Sequence, residues 1–265
     1  MKETTRVREN LGGGYAGIHS VEVASEILLQ LAKFRHPTSL KTLSDLCHLT
    51  PSKVHRYLSS MVKLGMVFHG KKSGNYSLGR NAIVIGLAAM QQNDQLDEII
   101  EALPELVGKA NCHLVLTVWS KAGPTIIKLA RSDDPLLIGL PLGQVLPLTH
   151  SASGLVFSAF LERSVTRELI AKERLSYGDK NAQPQQDIEI LLQTVREKRF
   201  AISRGEVQSD ITAMAVPILD WENNPVAVVG AIVAKNADES RISSVLTQLQ
   251  KFSEQISVEK PAFPF

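Results

Sequence analysis

Cysteine is scarce in this sequence of 265 residues, which contains only Cys47 and Cys112. Two distant cysteines are too few for a disulfide framework, so a small disulfide-stapled secreted domain is excluded. Long apolar runs are also missing, because no stretch approaches the roughly 20 residues of a membrane span. Residues 1–15 contain no apolar signal region. We therefore expect a cytoplasmic protein without a membrane partner.

Acidic residues are few in the N-terminal third. Residues 1–80 contain twelve Lys and Arg against five Asp and Glu, whereas residues 81–265 contain seventeen and twenty-two. A basic segment followed by an acidic one predicts that the first meets a polyanion such as nucleic acid and that the second does not. The length allows two ordinary domains, each able to bury its own core.

The basic segment has the pattern of three short helices. Residues 1–17 have no apolar periodicity and contain three consecutive glycines, so we expect a flexible arm there. The first helix is expected to begin at an N-cap, Ser20. Ser39 is the expected N-cap of the second helix and Thr50 that of the third, which ends at Gly65.

A β-hairpin is expected after the third helix. Two short strands, at residues 66–68 and 75–78, flank the glycine- and lysine-rich tip HGKKSG. Three short helices and a basic hairpin predict a winged helix-turn-helix over residues 18–80. The apolar residues expected to form the buried stripe of the third helix are Val54, Leu58, Met61, Val62 and Leu64.

The third helix carries basic side chains and no acidic residue. An α-helix fits the major groove of DNA, so its outward polar side chains are candidate DNA contacts. Wing lysines would contact phosphate or the minor groove. The predicted DNA-binding residues are Thr50, Ser52, Lys53, His55, Arg56, Ser59, Lys63, Lys71 and Lys72. Taken alone, such a helix is more often a solvated charged face that has no partner.

A second domain is expected beyond a connecting helix. The segment 81–92, NAIVIGLAAMQQ, predicts a buried helix, often one packed on a second copy of itself, and we interpret 81–94 as a linker. Strand and helix patterns then alternate over residues 95–258, which predicts one α/β or α+β layer domain, followed by a tail at 259–265. Strands are expected at 113–119, 125–131, 136–140, 200–204, 212–219 and 225–234. Helices are expected at 95–110, 152–161, 164–174, 186–199 and 239–255.

Five sequence pieces, in order and spacing, resemble the IclR family of bacterial regulators across roughly residues 18–256. They are SVEVASEIL at 20–28, SKVHRYLSSM at 52–61, YSLG at 76–79, LPLTHSASGLVFSAFL at 146–161 and AVPILDWENNPVAVV at 215–229. The resemblance implies an α+β protein: a winged helix-turn-helix, a linker helix and a GAF-like α/β effector domain with a mostly antiparallel sheet. It also implies a nucleoid-associated regulator of catabolic genes, dimeric or tetrameric, that binds double-stranded operator DNA and a small metabolite, commonly an organic acid.

The resemblance also implies an effector site against the helix start after L-P-L and against the closing strands. The matching residues are Ser151, Ala152, Ser153, Gly154, Ser203, Ile211, Ala213, Ala231 and Val233, with Leu129, Leu140, Leu142 and Val145 as further wall. Acid-binding members often carry Asp in place of Ser203, Cys in place of Ala213 and serines at the last two strand positions. A more apolar ligand, or a regulator that acts without a ligand, therefore stays open.

Enzymatic and metal-binding alternatives depend on few residues. Thiol chemistry would need a reactive cysteine, but Cys112 adjoins His113 on an expected strand, where neighbours point to opposite faces. Together with His150 these two residues lack the close spacing of a zinc site. We therefore expect no cofactor and no bound metal, and we expect a buried thiol and hydrogen-bonded histidines.

Overall fold

The protein is described by a computed structural model for residues 17–70, 73–91, 94–136, 138–176 and 185–257. The chain forms two compact units, residues 1–86 and 87–265. The expected tail and all but the last residue of the expected arm lie outside the described residues. Within the described ranges, no helix is both long and apolar enough to cross a membrane.

The first unit is a winged helix-turn-helix, as predicted. Its elements are α1 (His19–Ala32), α2 (Leu40–Leu46), α3 (Pro51–Lys63), β1 (Val67–His69) and β2 (Tyr76–Leu78). The two strands form an antiparallel hairpin in which Val67 lies opposite Leu78. An isolated bridge from Thr38 to Tyr76 ties the chain before α2 to this hairpin.

Capping side chains determine where two of these helices begin. The hydroxyl of Ser39 accepts a hydrogen bond from the backbone N–H of Thr42, and that of Thr50 accepts one from Lys53. Gly65, at φ +65°, takes the left-handed conformation that ends α3. The expectation for α1 was wrong, because its N-cap is Ile18, which makes no side-chain cap bond.

The core of the first unit lies between α1, α2, α3 and the hairpin. Val54, Leu58 and Met61 of α3 are buried in it. The other two residues expected in this stripe are exposed, Val62 by 37% and Leu64 by 65%. Leu64 is the C-cap residue, beyond the last helical turn, and Val62 follows Met61 by about 100° around the helix, so neither reaches the core.

A fourth helix, α4 (Arg80–Gln91), contains the division between the two units. The segment is helical as predicted, but its apolar side chains are exposed in the single chain. These exposed residues are Ile83, Val84, Ile85 and Leu87.

The second unit is built on a five-stranded antiparallel sheet in the order β4-β3-β7-β6-β5. Its strands are β3 (His113–Ser120), β4 (Gly123–Ala130), β5 (Ala201–Arg204), β6 (Ile211–Leu219) and β7 (Pro225–Ala234). Its helices are α5 (Asp94–Ala110), α6 (Ala152–Phe160), α7 (Arg163–Ser176), α8 (Gln185–Lys198) and α9 (Glu239–Ile256). The predicted antiparallel α/β domain is confirmed.

The two faces of this sheet carry different elements. Helices α5 and α9 pack on one face, where Cys112, Leu114 and Met214 are buried. On the other face, α6 packs against β5, β6 and β7. The strand expected at 136–140 was wrong, because none of its described residues is in a strand. Instead, its side chains pack on the same face as α6, against a cluster that includes Val115 and Ile232.

Candidate DNA-binding helix and ligand cleft

Helix α3 presents a polar, basic face to solvent. Thr50, Ser52, His55, Arg56 and Lys63 are exposed, whereas Lys53 and Ser59 are half-buried. The opposite face is anchored in the core, so the orientation of the polar face is fixed by packing. Lys71 and Lys72, the predicted wing contacts, lie outside the described residues.

The cations of α3 are not neutralised by any carboxylate that the structure describes. Among the residues that the structure describes, no ion pair involves Lys53, Arg56 or Lys63. By contrast, Ser59 donates its hydroxyl hydrogen to the backbone carbonyl of His55 at 2.8 Å. This face therefore offers basic side chains to an external anion.

A cleft opens on the face of the larger sheet that carries α6. It contains about 450 Å³ of space not occupied by atoms, part of it open to solvent. Eight of the predicted effector residues line it: Leu140, Ser151, Ala152, Ser153, Ser203, Ile211, Ala213 and Ala231.

Five of the predicted effector residues, Leu142 and Val145 among them, do not line this cleft. Val233 is buried on the opposite face, in the core beneath α5 and α9. Gly154 packs against the chain before α6, where a Cβ would lie only 2.0 Å from the carbonyl oxygen of Pro147. Leu129 packs beside the cleft, in the cluster that contains Val115. Gly154 thus has a packing role, because only a residue without a Cβ permits this approach.

Sequence reasoning missed eight lining residues: Val115, Leu146, Gly205, Glu206, Val207, Met214, Gly230 and Ile232. On β7 the prediction chose the wrong set of alternating residues, because Gly230 and Ile232 face the cleft. The side chains of Ala231 and Val233 pack in the opposite core, although Ala231 also borders the cleft. Since β7 is apolar at nearly every position, its periodicity does not identify the cleft face.

The wall of the cleft before α6 is held by a carboxylate from α7. Glu173 accepts hydrogen bonds from the backbone N–H groups of Leu148 (2.6 Å) and Thr149 (2.9 Å). It also accepts from the hydroxyl of Thr149, and its Oε1 lies 3.2 Å from Nδ1 of His150. This network fixes the segment that leads into the N-terminus of α6.

The groups considered for thiol and metal chemistry are dispersed. Cys112 is fully buried, and this burial raises the pKa of its thiol to about 11. Nδ1 of His113 accepts from the backbone N–H of Ser132 at 3.0 Å, while His150 belongs to the Glu173 network. In the described part of the chain, no three His, Cys, Asp or Glu side chains are grouped to hold a metal ion.

Comparison with known proteins assigns both units to the same family. Residues 20–68 match the family model "IclR helix-turn-helix domain", and residues 88–258 match "Bacterial transcriptional regulator IclR C-terminal". The glycerol operon regulatory protein of Streptomyces coelicolor is 25% identical over 214 residues, which are 80% of this chain and 84% of that protein.

Solved structures share the fold. An IclR transcriptional regulator from Alicyclobacillus acidocaldarius has a TM-score of 0.79 at 23% identity, over 91% of this chain and 98% of its own. An IclR homologue from Microbacterium hydrocarbonoxydans, complexed with 4-hydroxybenzoate, has a TM-score of 0.70 at 19% identity, over 92% and 100%. The chain therefore belongs to the IclR family of bacterial transcriptional regulators, which bind DNA and are not enzymes.

Proposed function

We propose that α3 binds operator DNA and that a small molecule bound in the cleft changes the affinity of the protein for this DNA. The observation that carries the proposal is the exposed face of α3, whose basic side chains have no carboxylate partner among the described residues. Such a face is complementary to the phosphates and base edges of a duplex. We place this activity in the cytoplasm, on the nucleoid.

The residues of α3 have different tasks in this proposal. Arg56 is exposed near the middle of the helix, and its guanidinium group can donate two parallel hydrogen bonds to one guanine. Lys53 follows the N-cap and suits a phosphate, together with the wing lysines Lys71 and Lys72. Ser52 and His55 are exposed beside these cations and supply shorter-range polar contacts.

The cleft suits a small organic molecule. Most of its wall is aliphatic, and its few polar groups include Ser151, Ser153, Ser203 and Glu206. This combination is typical of sites for small ligands. The relative crystallised with 4-hydroxybenzoate supports an aromatic acid, or a more apolar molecule of similar size, as the kind of ligand to test.

We further propose that the regulator acts as a homo-oligomer paired through α4. Four large apolar side chains of this helix are exposed in the single chain, and such an apolar surface is a typical interface. Two-fold pairing would present two α3 helices to the two halves of a palindromic operator.

The test is binding to DNA from upstream of the chain's own gene, measured by fluorescence anisotropy. Arg56→Ala is expected to weaken specific binding by about 10- to 100-fold, since a bidentate base contact provides roughly 1–3 kcal/mol of discrimination. Lys109→Ala is the control, because Lys109 is an exposed cation on α5 that pairs with Glu105. Equal affinity of the Arg56 and Lys109 variants would overturn the assignment of α3.

A further inference from the structure

His113 is a buried polar side chain on the cleft face of the larger sheet. It is the first residue of β3 and is only 2% exposed. Strand alternation places it on the same face as Val115, which lines the cleft. In the pairing of β3 with β7, His113 lies directly opposite Ile232, another lining residue. Because the Cβ atoms of directly opposite residues are about 4.5–5.5 Å apart, His113 lies one side chain beyond the cleft wall.

Only one nitrogen of this imidazole ring has a hydrogen-bond partner. Nδ1 accepts from the backbone N–H of Ser132 at 3.0 Å. A ring nitrogen that accepts carries no hydrogen, so this bond assigns the hydrogen of the ring to Nε2. Nε2 is shielded from solvent and has no hydrogen-bond partner within the described part of the chain. His113 therefore holds a buried N–H donor that the described residues leave unused.

The surroundings of this donor are apolar. The side chains of Val115 and Ile232 belong to an aliphatic cluster that also contains Leu136 and Ile138, and none of them can accept a hydrogen bond. The carboxylate of Asp134, two residues after Ser132, accepts instead from the backbone N–H of Leu136 at 3.0 Å. A buried N–H group without an acceptor destabilises the fold, so its presence calls for a partner from outside the chain.

The donor lies away from the start of α6. A Cβ built on Gly230 would be 3.6 Å from Oγ of Ser153, which places Gly230 beneath the first turn of that helix. Ile232 is two residues farther along β7, and His113 is beside Ile232. A ligand that contacts His113 must therefore extend along the sheet, over Val115 and Ile232, towards the start of β3.

Resting on the proposed ligand-binding function, we propose that His113 is the specificity-determining residue at the end of the cleft away from α6. Its Nε2–H donates to an uncharged hydroxyl or ether oxygen at the far end of an otherwise apolar ligand. The apolar middle of the ligand lies against Val115 and Ile232. His113 is not itself a lining residue, so the ligand lengthens the cleft by one side chain.

The position of the ring hydrogen tests the first half of the proposal. Long-range ¹H–¹⁵N NMR of the full-length chain with labelled histidine distinguishes a hydrogen on Nε2 from one on Nδ1. The signal that disappears in His113→Asn identifies the residue. We expect the Nε2–H form. A hydrogen on Nδ1 alone would leave Nε2 with nothing to donate and would overturn the proposal.

Ligand binding tests the second half, with the full-length chain and pairs of acids of nearly equal shape measured by calorimetry. One pair is 4-hydroxybenzoate and 4-methylbenzoate, and a longer pair is 3-(4-hydroxyphenyl)propanoate and 3-(4-methylphenyl)propanoate. Within each pair only the hydroxyl oxygen can accept from Nε2–H. Wild type is expected to bind the hydroxyl member of at least one pair about 10-fold more tightly than its methyl partner.

Two substitutions separate the donor of His113 from its acceptor. His113→Asn places an oxygen near the position of Nδ1, where it can accept from Ser132, and removes Nε2–H. This variant is expected to lose the preference for the hydroxyl member. His113→Gln places an NH₂ group near the position of Nε2 and is expected to keep part of that preference. Both variants remove the ring, so a merely structural role would affect them alike.

The outcomes separate the two proposals. If wild type binds both members of each pair equally, or if His113→Asn keeps the preference, the role of His113 is overturned while ligand binding stands. If no acid of the panel binds wild type, the proposed aromatic-acid ligand fails, an effector-independent regulator is favoured, and the role of His113 falls with it.

Discussion

Burial shifts the pKa of the Cys112 thiol from 9.0 to about 11. The cause is desolvation of the thiolate in the core beneath α5 and α9, which the charge of Arg241 and a hydrogen bond with the backbone of Ile232 offset only in part. In the unfolded chain the thiol ionises near its ordinary value, so the folded protein binds one more proton between the two pKa values. The contribution of Cys112 to the free energy of unfolding is therefore fully present below pH 9 and is lost as the pH rises towards 11.

The expected size of this alkaline loss is about 2–3 kcal/mol, since each pKa unit corresponds to roughly 1.4 kcal/mol. Urea unfolding between pH 8 and pH 10.5 would measure it. Cys112→Ala is expected to be less stable at every pH but to lose stability less steeply in this range. Cys47→Ala is the control. Because Cys47 is only half-buried, this variant is expected to keep most of the pH dependence of the unfolding free energy. Parallel pH profiles for wild type and Cys112→Ala would contradict the prediction.

Glu173 shows how one carboxylate can hold a wall of the cleft. Both of its oxygens accept backbone N–H groups, from Leu148 and Thr149. Glu173→Gln replaces one acceptor by an NH₂ group that faces a backbone donor, so we expect a loss of about 1–3 kcal/mol in unfolding free energy.

Chemical denaturation would measure the change at Glu173, with Glu168→Gln as the matched control on the same helix. Glu168 is exposed and, among the residues that the structure describes, pairs only with Lys172 one turn away, so no measurable change is expected there. If the two variants are equally stable, Glu173 does not hold the segment before α6.

Helix α4 is the element whose surface is hardest to explain in a single chain. Its apolar side chains are exposed, and contact with water disfavours such a surface by roughly 25 cal/mol per Å². Val84→Glu is expected to shift the protein from oligomer to monomer, because a carboxylate in an apolar interface is desolvated without a partner. Sedimentation velocity at micromolar concentration would measure the shift.

Ile190 provides a control of equal exposure for this prediction. Val84 and Ile190 are both 62% exposed, but Ile190 lies on α8 of the second unit. Ile190→Glu is expected to leave the sedimentation coefficient unchanged. An unaltered oligomer in the Val84 variant would show that α4 is not the pairing surface.

The elements also differ in how well the sequence predicts them. Helix α3 was predictable because Thr50 caps it, Pro51 begins it and Gly65 ends it, and all three act locally. The segment 136–140, LLIGL, was mistaken for a strand because it is a short apolar run. Leu136, Ile138 and Leu140 instead pack on the face of the sheet, a tertiary contact that a local apolar pattern does not distinguish from strand pairing.

The cleft was only partly predictable for the same physical reason. Ser151 to Ser153 were identified in advance because the family resemblance implies an effector site at the start of this helix. Glu206 lies after the end of β5 and Gly230 on a strand apolar on both faces, so neither carries a periodic signal of its own. Their common position is set by the order β7-β6-β5 in the sheet, which sequence alone does not fix.

At the scale of the whole molecule, positive charge is concentrated in the first third of the chain and negative charge in the remainder. A protein of this kind should bind DNA through its N-terminal unit with strong dependence on salt, because each phosphate contact releases counterions. We expect the logarithm of operator affinity to fall linearly with the logarithm of KCl concentration, and Lys53→Ala to reduce that slope by about 0.9.

The same titration separates phosphate contacts from base contacts on α3. Lys53→Ala is expected to weaken operator and random DNA alike, whereas Arg56→Ala weakens the operator more and lowers the ratio between them. Lys109→Ala, whose ion-paired side chain lies on α5, should alter neither slope nor ratio. A slope that Lys53→Ala leaves unchanged would place the phosphate contact elsewhere on the basic unit, because a residue that neutralises a phosphate must contribute to counterion release.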